Sequence, residues 1–254
     1  MASVHSPRAT TTLSASIAEA FPQSRFDTRR ALTTAVRIRA FGPGQAILRQ
    51  GDDVYLALVL DGQVAMHRTT LDGRELIVRI VPAGGLGSIL PLDDRPAAAA
   101  ALGITPGSIA LWPAGEVRSL AAADAGFAVD LLGHVLGIFE TVVGRLDGML
   151  HQDARRRVAR VLDEYADLFF GEGSALTRAY LPLMVGTSRE MTGRVLRLFE
   201  SEGILRRVGR DRLRLLDPAG LTAAAGWGTD RVDRWRGGQP GQASAASMDR
   251  SPAA

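Results

Sequence analysis

Apolar and polar positions alternate with two different periods along the chain, and the change of period marks out its parts. Between residues 36 and 112, short apolar runs (36–41, 46–48, 55–60, 64–67, 76–80 and 108–112) are separated by turns built on glycine: Gly42-Pro43-Gly44, Gly51-Asp52-Asp53, Asp61-Gly62, Asp72-Gly73 and Ala83-Gly84-Gly85. Many short strands with turn residues between them predict an antiparallel barrel or jelly roll. From residue 126 to about 151 the spacing becomes helical, with Leu132, Val135, Phe139, Val142, Leu146 and Met149 recurring at threes and fours. Such a seam suits a buried helix as well as a dimer contact. Gly133, Gly137, Gly144 and Gly148 lower the intrinsic helicity by up to about 1 kcal/mol each, so this helix depends on a partner surface.

A further helix is predicted over about 153–170, with Val158, Val161, Leu162 and Tyr165 inward and Arg155-Arg156-Arg157 as a solvated face. Residues 171–174 form a loop into the stretch 176–217. There, Thr177 caps a first helix over about 178–184, Val185-Gly186-Thr187 makes a short turn, and a second helix runs over about 188–202. Thr187 followed by Glu190 has the spacing of a capping box, and Gly203 stops the helix. On a helical projection Met191, Val195, Leu198 and Phe199 share one sector, opposite Arg189, Glu190, Gly193, Arg194 and Arg197. Residues 204–208 and 213–216 then read as strands joined by Gly209-Arg210-Asp211-Arg212. Together these elements predict a helix-turn-helix with a wing, in a chain of α+β class.

Charge strengthens that reading. Nine arginines stand between Arg178 and Arg214 against four acids (Glu190, Glu200, Glu202 and Asp211), an electrostatic footprint suited to phosphate. The formal charge of the whole chain is only +3, and the pI of 10.1 overstates its basicity because all thirty basic residues are arginine. Without cysteine there is no disulfide, no thiolate-held zinc and no iron–sulfur cluster. No metal site is expected, and His67 reads as an ordinary strand residue. No apolar run reaches the roughly 18 residues of a membrane span, so no membrane and a cytoplasmic location are expected. Neither a nucleophilic triad nor a convincing carboxylate pair points to an enzyme. Residues 1–24 and 221–254, rich in small and polar residues, are expected to be disordered, and Trp227 and Trp235 have no explanation.

The string GTSREMTGRVLRLFESEGIL resembles the helix-turn-helix of the cyclic-AMP receptor protein / fumarate-nitrate reductase regulator (CRP/FNR) family of bacterial transcription factors. The string F-x-P-G-Q-x-I-x-x-x-G-D over 41–52, followed by L-x-G-x-V and D-G-R-E, resembles the cyclic-nucleotide-binding barrel of the same family. The resemblance covers about residues 26–217. It implies an effector barrel over 25–125, a dimerisation helix over 126–151 whose seam includes Val135, Phe139, Val142, Leu146 and Met149, and a winged helix-turn-helix over 152–220. It also implies a homodimer on a palindromic operator, with RNA polymerase as a further partner. Base reading carries over to Arg189, Glu190 and Arg194, since guanine accepts paired bonds from Arg and cytosine can donate to Glu; Thr187, Ser188, Arg197, Arg210 and Arg212 complete the expected double-stranded DNA contacts. Two departures stand out. Pro182 falls inside the first helix, where it would kink it. In the effector pocket, taken as Gly87, Ser88 and Arg95, Ser88 replaces a ribose-binding Glu and Pro96 a phosphate-binding Ser or Thr, so cyclic AMP is not expected and no other cofactor is implied. The competing reading is a ligand- or partner-binding regulatory module that does not bind DNA.

Overall fold

The computed structural model describes residues 7–53, 55–87, 96–171 and 173–226, with side chains from residue 13 onward. Two helices come first: α1 (Pro7–Ala20), which falls where disorder is expected over 1–24, and α2 (Phe26–Ala35). The physical reason is Leu13, Ile17 and Phe21, spaced by four and at most 3% exposed, which small neighbours conceal in the composition. They pack with Phe127 and Leu131, and the Phe21 and Phe127 rings meet edge to face at 5.0 Å. Each large apolar side chain fully buried contributes about 1.5–3 kcal/mol, enough for three of them to order a short helix.

Two aspartates fasten this segment. Asp124 accepts from Arg25 N at 2.7 Å and Thr28 Oγ1 at 2.6 Å, while its other oxygen caps the next helix at Gly126 N and Phe127 N. These bonds, Thr28 first, hold its carboxyl at a pKa of about 2. Asp130 accepts from Gln23 N at 3.0 Å and Ser24 N at 3.1 Å, with burial pushing its carboxyl up. His134 donates from Nε2 to Ala20 O at 2.9 Å, and the Trp112 indole donates to Leu32 O at 2.8 Å.

The barrel follows as β1 (Arg37–Phe41), β2 (Ala46–Leu48), β3 (Tyr55–Asp61), β4 (Gln63–Thr69), β5 (Glu75–Pro82), β6 (Ala100–Gly103) and β7 (Gly107–Pro113). Its two antiparallel sheets have the orders β1-β7-β3 and β2-β6-β4-β5. Each of the six runs expected from periodicity is a strand; β6 is hidden in an alanine-rich stretch without alternation. Phe41, Ile47, Val59, Val64, Val81 and Ile109 fill the space between the sheets. His67, on β4, faces Glu75 across the hairpin at 3.7 Å, and among the described residues no group of three possible ligands could hold a metal.

After α3 (Ala114–Ala123) comes α4 (Ala125–His151), which bears out the expected long helix. One side, at Phe127, Leu131 and Ile138, is buried against the rest of the chain. The opposite side leaves Val129, Leu132, Leu136, Phe139, Val143, Leu146 and Leu150 exposed, spaced 3, 4, 3, 4, 3 and 4, with Val142 and Met149 beside them. Val135 is half-buried. By length and composition alone (mean hydropathy 1.6 over its best window) α4 is apolar enough to cross a membrane. Asp130, Glu140, Arg145 and Asp147 interrupt it, so no unbroken apolar run of about 18 residues occurs in it. The exposed apolar positions form a single stripe with charge beside it, the pattern of a helix that pairs with another helix.

The C-terminal unit consists of α5 (Ala154–Glu164), α6 (Ala166–Phe170), α7 (Leu181–Val185), α8 (Arg189–Ser201), β8 (Leu205–Val208), β9 (Arg212–Leu215) and α9 (Pro218–Ala225). Its core of Val158, Leu162, Phe169, Leu181, Val195 and Phe199 continues without a break into Ile77 and Ile80 of β5. Helix α9 is a second correction, since disorder is expected from residue 221: Asp217 caps it at Gly220 N, and Leu221 and Ala225 are buried. Trp227, Trp235 and the rest of the tail lie outside the described residues.

Candidate nucleic-acid interface

The exposed face of α8 comes from how the helix is started, stopped and turned. Ser188, not Thr187, is its cap, accepting from Met191 N at 3.1 Å. The capping box is therefore corrected: one position off, Glu190 sits at the second residue of the helix and its carboxylate is released from the backbone. It pairs instead with Arg194, one turn on, at 3.1 Å, with the two side chains 81% and 64% exposed. At the other end Gly203 (φ 73°) donates to Glu200 O and Ile204 N to Phe199 O, the paired bonds of a Schellman stop.

Thr192, Val195, Leu196 and Phe199 face inward. Leu198 is expected among them but is 41% exposed, displaced by Leu196, because the buried sector is turned by about one residue toward Thr192. Ser188, Arg189, Glu190, Arg194 and Arg197 all lie exposed and Thr187 is half-buried. A Cβ built on Gly193 would meet nothing nearer than the Arg197 guanidinium at 3.7 Å, so packing within the chain does not require glycine there.

The first helix is shorter than expected. Residues Arg178–Tyr180 form a 3-10 turn, Thr177 makes no side-chain cap, and α7 begins only at Leu181. Pro182 is thus the second residue of α7, where no intrahelical bond is lost, and the expected kink is absent. Gly186 closes α7 in the left-handed region (φ 68°), and a Cβ on it would come within 2.9 Å of Met149 Cε on α4. Met149 therefore touches the turn of this motif as well as flanking the seam.

The wing pairs β8 with β9, Arg206 directly opposite Arg214 and Val208 opposite Arg212. Arg206, Arg210 and Arg214 are exposed. Arg212 is differently placed from Arg210: its guanidinium is bound to the Ser174 carbonyl and hydroxyl, and it anchors the wing to the preceding loop. Asp211 holds the other side, its carbonyl accepting from Arg178 N at 2.9 Å. The opposed pair Arg206 and Arg214 escaped the sequence reading. The signal was there in the alternation of LRRV and RLRL, which puts both on one face where like charges repel.

Arg155 bonds Glu202 at 2.9 Å and lies over the Phe199 ring at 5.4 Å, Arg156 bonds Gly226 O at 2.6 Å, and Arg157 bonds Gln152 O at 2.6 Å. These three tie α5 to α8, to the residue after α9 and to the preceding turn, so they are structural rather than a free face. In the barrel, Gly87 N bonds Ala57 O at 2.6 Å, while Ser88 and Arg95 lie outside the described residues.

Comparison with known proteins finds the cyclic nucleotide-binding domain matched over residues 38–124 and the Crp-like helix-turn-helix domain over residues 156–224. A relative described as the cyclic AMP receptor protein of Thermus thermophilus is 28% identical over 170 residues, 66% of this chain and 79% of its own. Among solved structures, a CRP/FNR-family transcriptional regulator, also from Thermus thermophilus, superposes with a TM-score of 0.64 at 24% identity, covering 75% of this chain and 99% of the other. The c-di-GMP responsive global regulator CLP of Xanthomonas campestris does so with a TM-score of 0.63 at 22% identity, covering 75% and 99%.

Proposed function

The chain belongs to the CRP/FNR family of transcription regulators, and from that premise we propose that it is a homodimeric cytoplasmic regulator that reads a palindromic operator through α8. The observation that carries this is the exposed row Arg189, Glu190, Arg194 and Arg197 on a helix whose other side buries Thr192, Val195, Leu196 and Phe199. Arg189 and Arg194 offer the paired donors that guanine accepts, and Glu190, free of any capping role, can accept from cytosine. Thr187 and Ser188 at the start of α8, Arg210 at the wing tip and the Arg206/Arg214 pair are suited to phosphate, which would relieve the repulsion between those two. Arg212 contributes by holding the wing rather than by contact.

The exposed 3-4 stripe on α4 supports dimerisation, and two recognition helices related by a dimer axis demand half-sites about one helical turn, roughly 10–10.5 base pairs, apart. The replacement of the ribose-binding Glu and phosphate-binding Ser or Thr by Ser88 and Pro96 argues for an effector other than cyclic AMP, or none. RNA polymerase is the further partner of such a regulator. Selection of bound fragments from random duplex DNA tests the reading. Enrichment of a two-fold symmetric sequence with that spacing is expected; failure to enrich any sequence, with the protein folded, would leave a regulatory module that does not bind DNA.

A further inference from the structure

The outer edge of the barrel is met by side chains from α4, from the C-terminal unit and from the edge strand itself. Strand β5 ends the four-stranded sheet, so among the described residues its open side has no neighbouring strand to take its backbone bonds. Arg145 on α4 donates from Nη1 to Ile77 O at 2.8 Å. Arg79, on β5 itself, donates to Leu86 O. Tyr165 packs its ring against the same core as Ile77 and Ile80, with its phenol near the Glu164 carboxylate and the Ile80 backbone. It can do so because the helix breaks there: Tyr165 (φ −114°, ψ 33°) ends α5 and starts α6.

The surroundings make these contacts exacting. Ile77 and Ile80 are buried in one apolar core with Val158, Leu162 and Leu181 of the DNA-binding unit. Burial, with Arg145 nearby, brings the Arg79 guanidinium down to about 10, and burial pushes the Tyr165 phenol up. Arg145 stands seven residues after Ile138 and fourteen after Leu131, on the stripe of α4 that faces the barrel rather than the exposed seam. In that setting a lost bond leaves a half-buried polar group without compensation.

We propose that Arg145 and Tyr165 are positioning residues for DNA binding: Arg145 fastens α4 to β5, Tyr165 seats the C-terminal unit on the same strand, and together they set the separation and tilt of the two recognition helices, while Arg79 braces the strand itself. This rests on the reading of a dimer on a palindromic operator. In the arrangement seen here the recognition row of α8 is exposed, and releasing the lock adds orientational freedom that a two-site contact must remove.

The test uses the absence of native cysteine. Spin labels at Leu71→Cys in the barrel and Ser201→Cys at the end of α8, both exposed, report the distance between the two units when labelled chains are diluted into unlabelled protein. One narrow distribution is expected in the parent. Tyr165→Phe, which keeps the ring and removes only the hydroxyl, and Arg145→Gln should each broaden it, with Arg145→Lys restoring part of the order. On a full operator both broadening variants should bind about 5-fold or more weakly, while binding to a single half-site stays unchanged, since one domain alone needs no fixed separation. Unchanged distance distributions in both variants would overturn the proposal. Equal losses on half-site and full operator would overturn it too, because they signify a damaged domain rather than a misplaced one. If the parent binds no DNA, the functional reading fails while the distances still decide the lock.

Discussion

Glu190 and Arg194 occupy each other in the free protein, at a distance and exposure where the pair contributes only a few tenths of a kcal/mol. Breaking it to meet base edges therefore costs little, and each side chain should report on its own base pair. Arg194→Ala and Glu190→Ala are expected to lose about 1–3 kcal/mol on the preferred base and to relax selection at one position per half-site. Binding isotherms on the operator and on single-base variants measure this; a thermal midpoint lowered with base preference intact would mean that Glu190 serves the fold. Arg210→Ala should weaken all sequences alike and flatten the log–log salt dependence by about one unit. Arg212→Ala should instead loosen the wing, because its guanidinium holds the Ser174 loop, and a protease cutting near Gly209 would read that out. Asp124 sets a pH dependence of definite sign. Its folded value of about 2 lies below the ordinary 3.8, so its stabilisation is present above about pH 4 and vanishes as pH falls toward 2. Asp124→Asn should be less stable than the parent near neutrality and converge with it in acid, as followed by thermal unfolding.

Among the elements, α8 offers the sharpest test of why a residue stands where the fold does not need it. Gly193→Ala should raise thermal stability by up to about 1 kcal/mol, since its Cβ meets nothing within 3.7 Å and helix propensity improves. If that face lies on DNA, the same methyl group should weaken operator binding; a gain in stability with unchanged affinity would show that Gly193 is merely tolerated. Elements with a clean period were legible in the sequence: six strands, the long α4 and the α8–wing unit all fall within a few residues of their expected bounds. What escaped was decided by tertiary contact. Helix α1 needs Phe127 and Leu131 to be worth forming, β6 is an alanine run made a strand by β2 and β4, and α7 is cut short by a preceding 3-10 turn. The cap at Ser188 rather than Thr187 is a one-residue difference that local spacing cannot decide, yet it changes the role of Glu190. Arg155, Arg156 and Arg157 read as a charged surface because their partners, Glu202, Gly226 and Gln152, lie mostly far along the chain.

For the molecule as a whole, the exposed stripe of α4 is a feature that a single chain leaves unfinished. Seven apolar side chains at strict 3-4 spacing, Phe139 the most central and 63% exposed, form a coiled-coil face flanked by Glu140 and Asp147. Covering it with the same face of a second copy would bury each at about 1.5–3 kcal/mol per large side chain before the cost of association, and would compensate for the four glycines of this helix. Phe139→Glu places two carboxylates across the dimer axis in an apolar seam and should give a folded monomer at micromolar concentration by sedimentation. The barrel and the C-terminal unit pack through the other side of α4, so circular dichroism and the wing contacts should be preserved. On DNA the consequence is specific: a palindromic operator is held by two linked recognition helices, so the monomer should lose the gain from the second half-site and bind the full operator no better than a single half-site. A parent protein that is itself monomeric, or a Phe139→Glu variant that keeps full operator affinity, would remove the seam from the account and leave α8 acting alone.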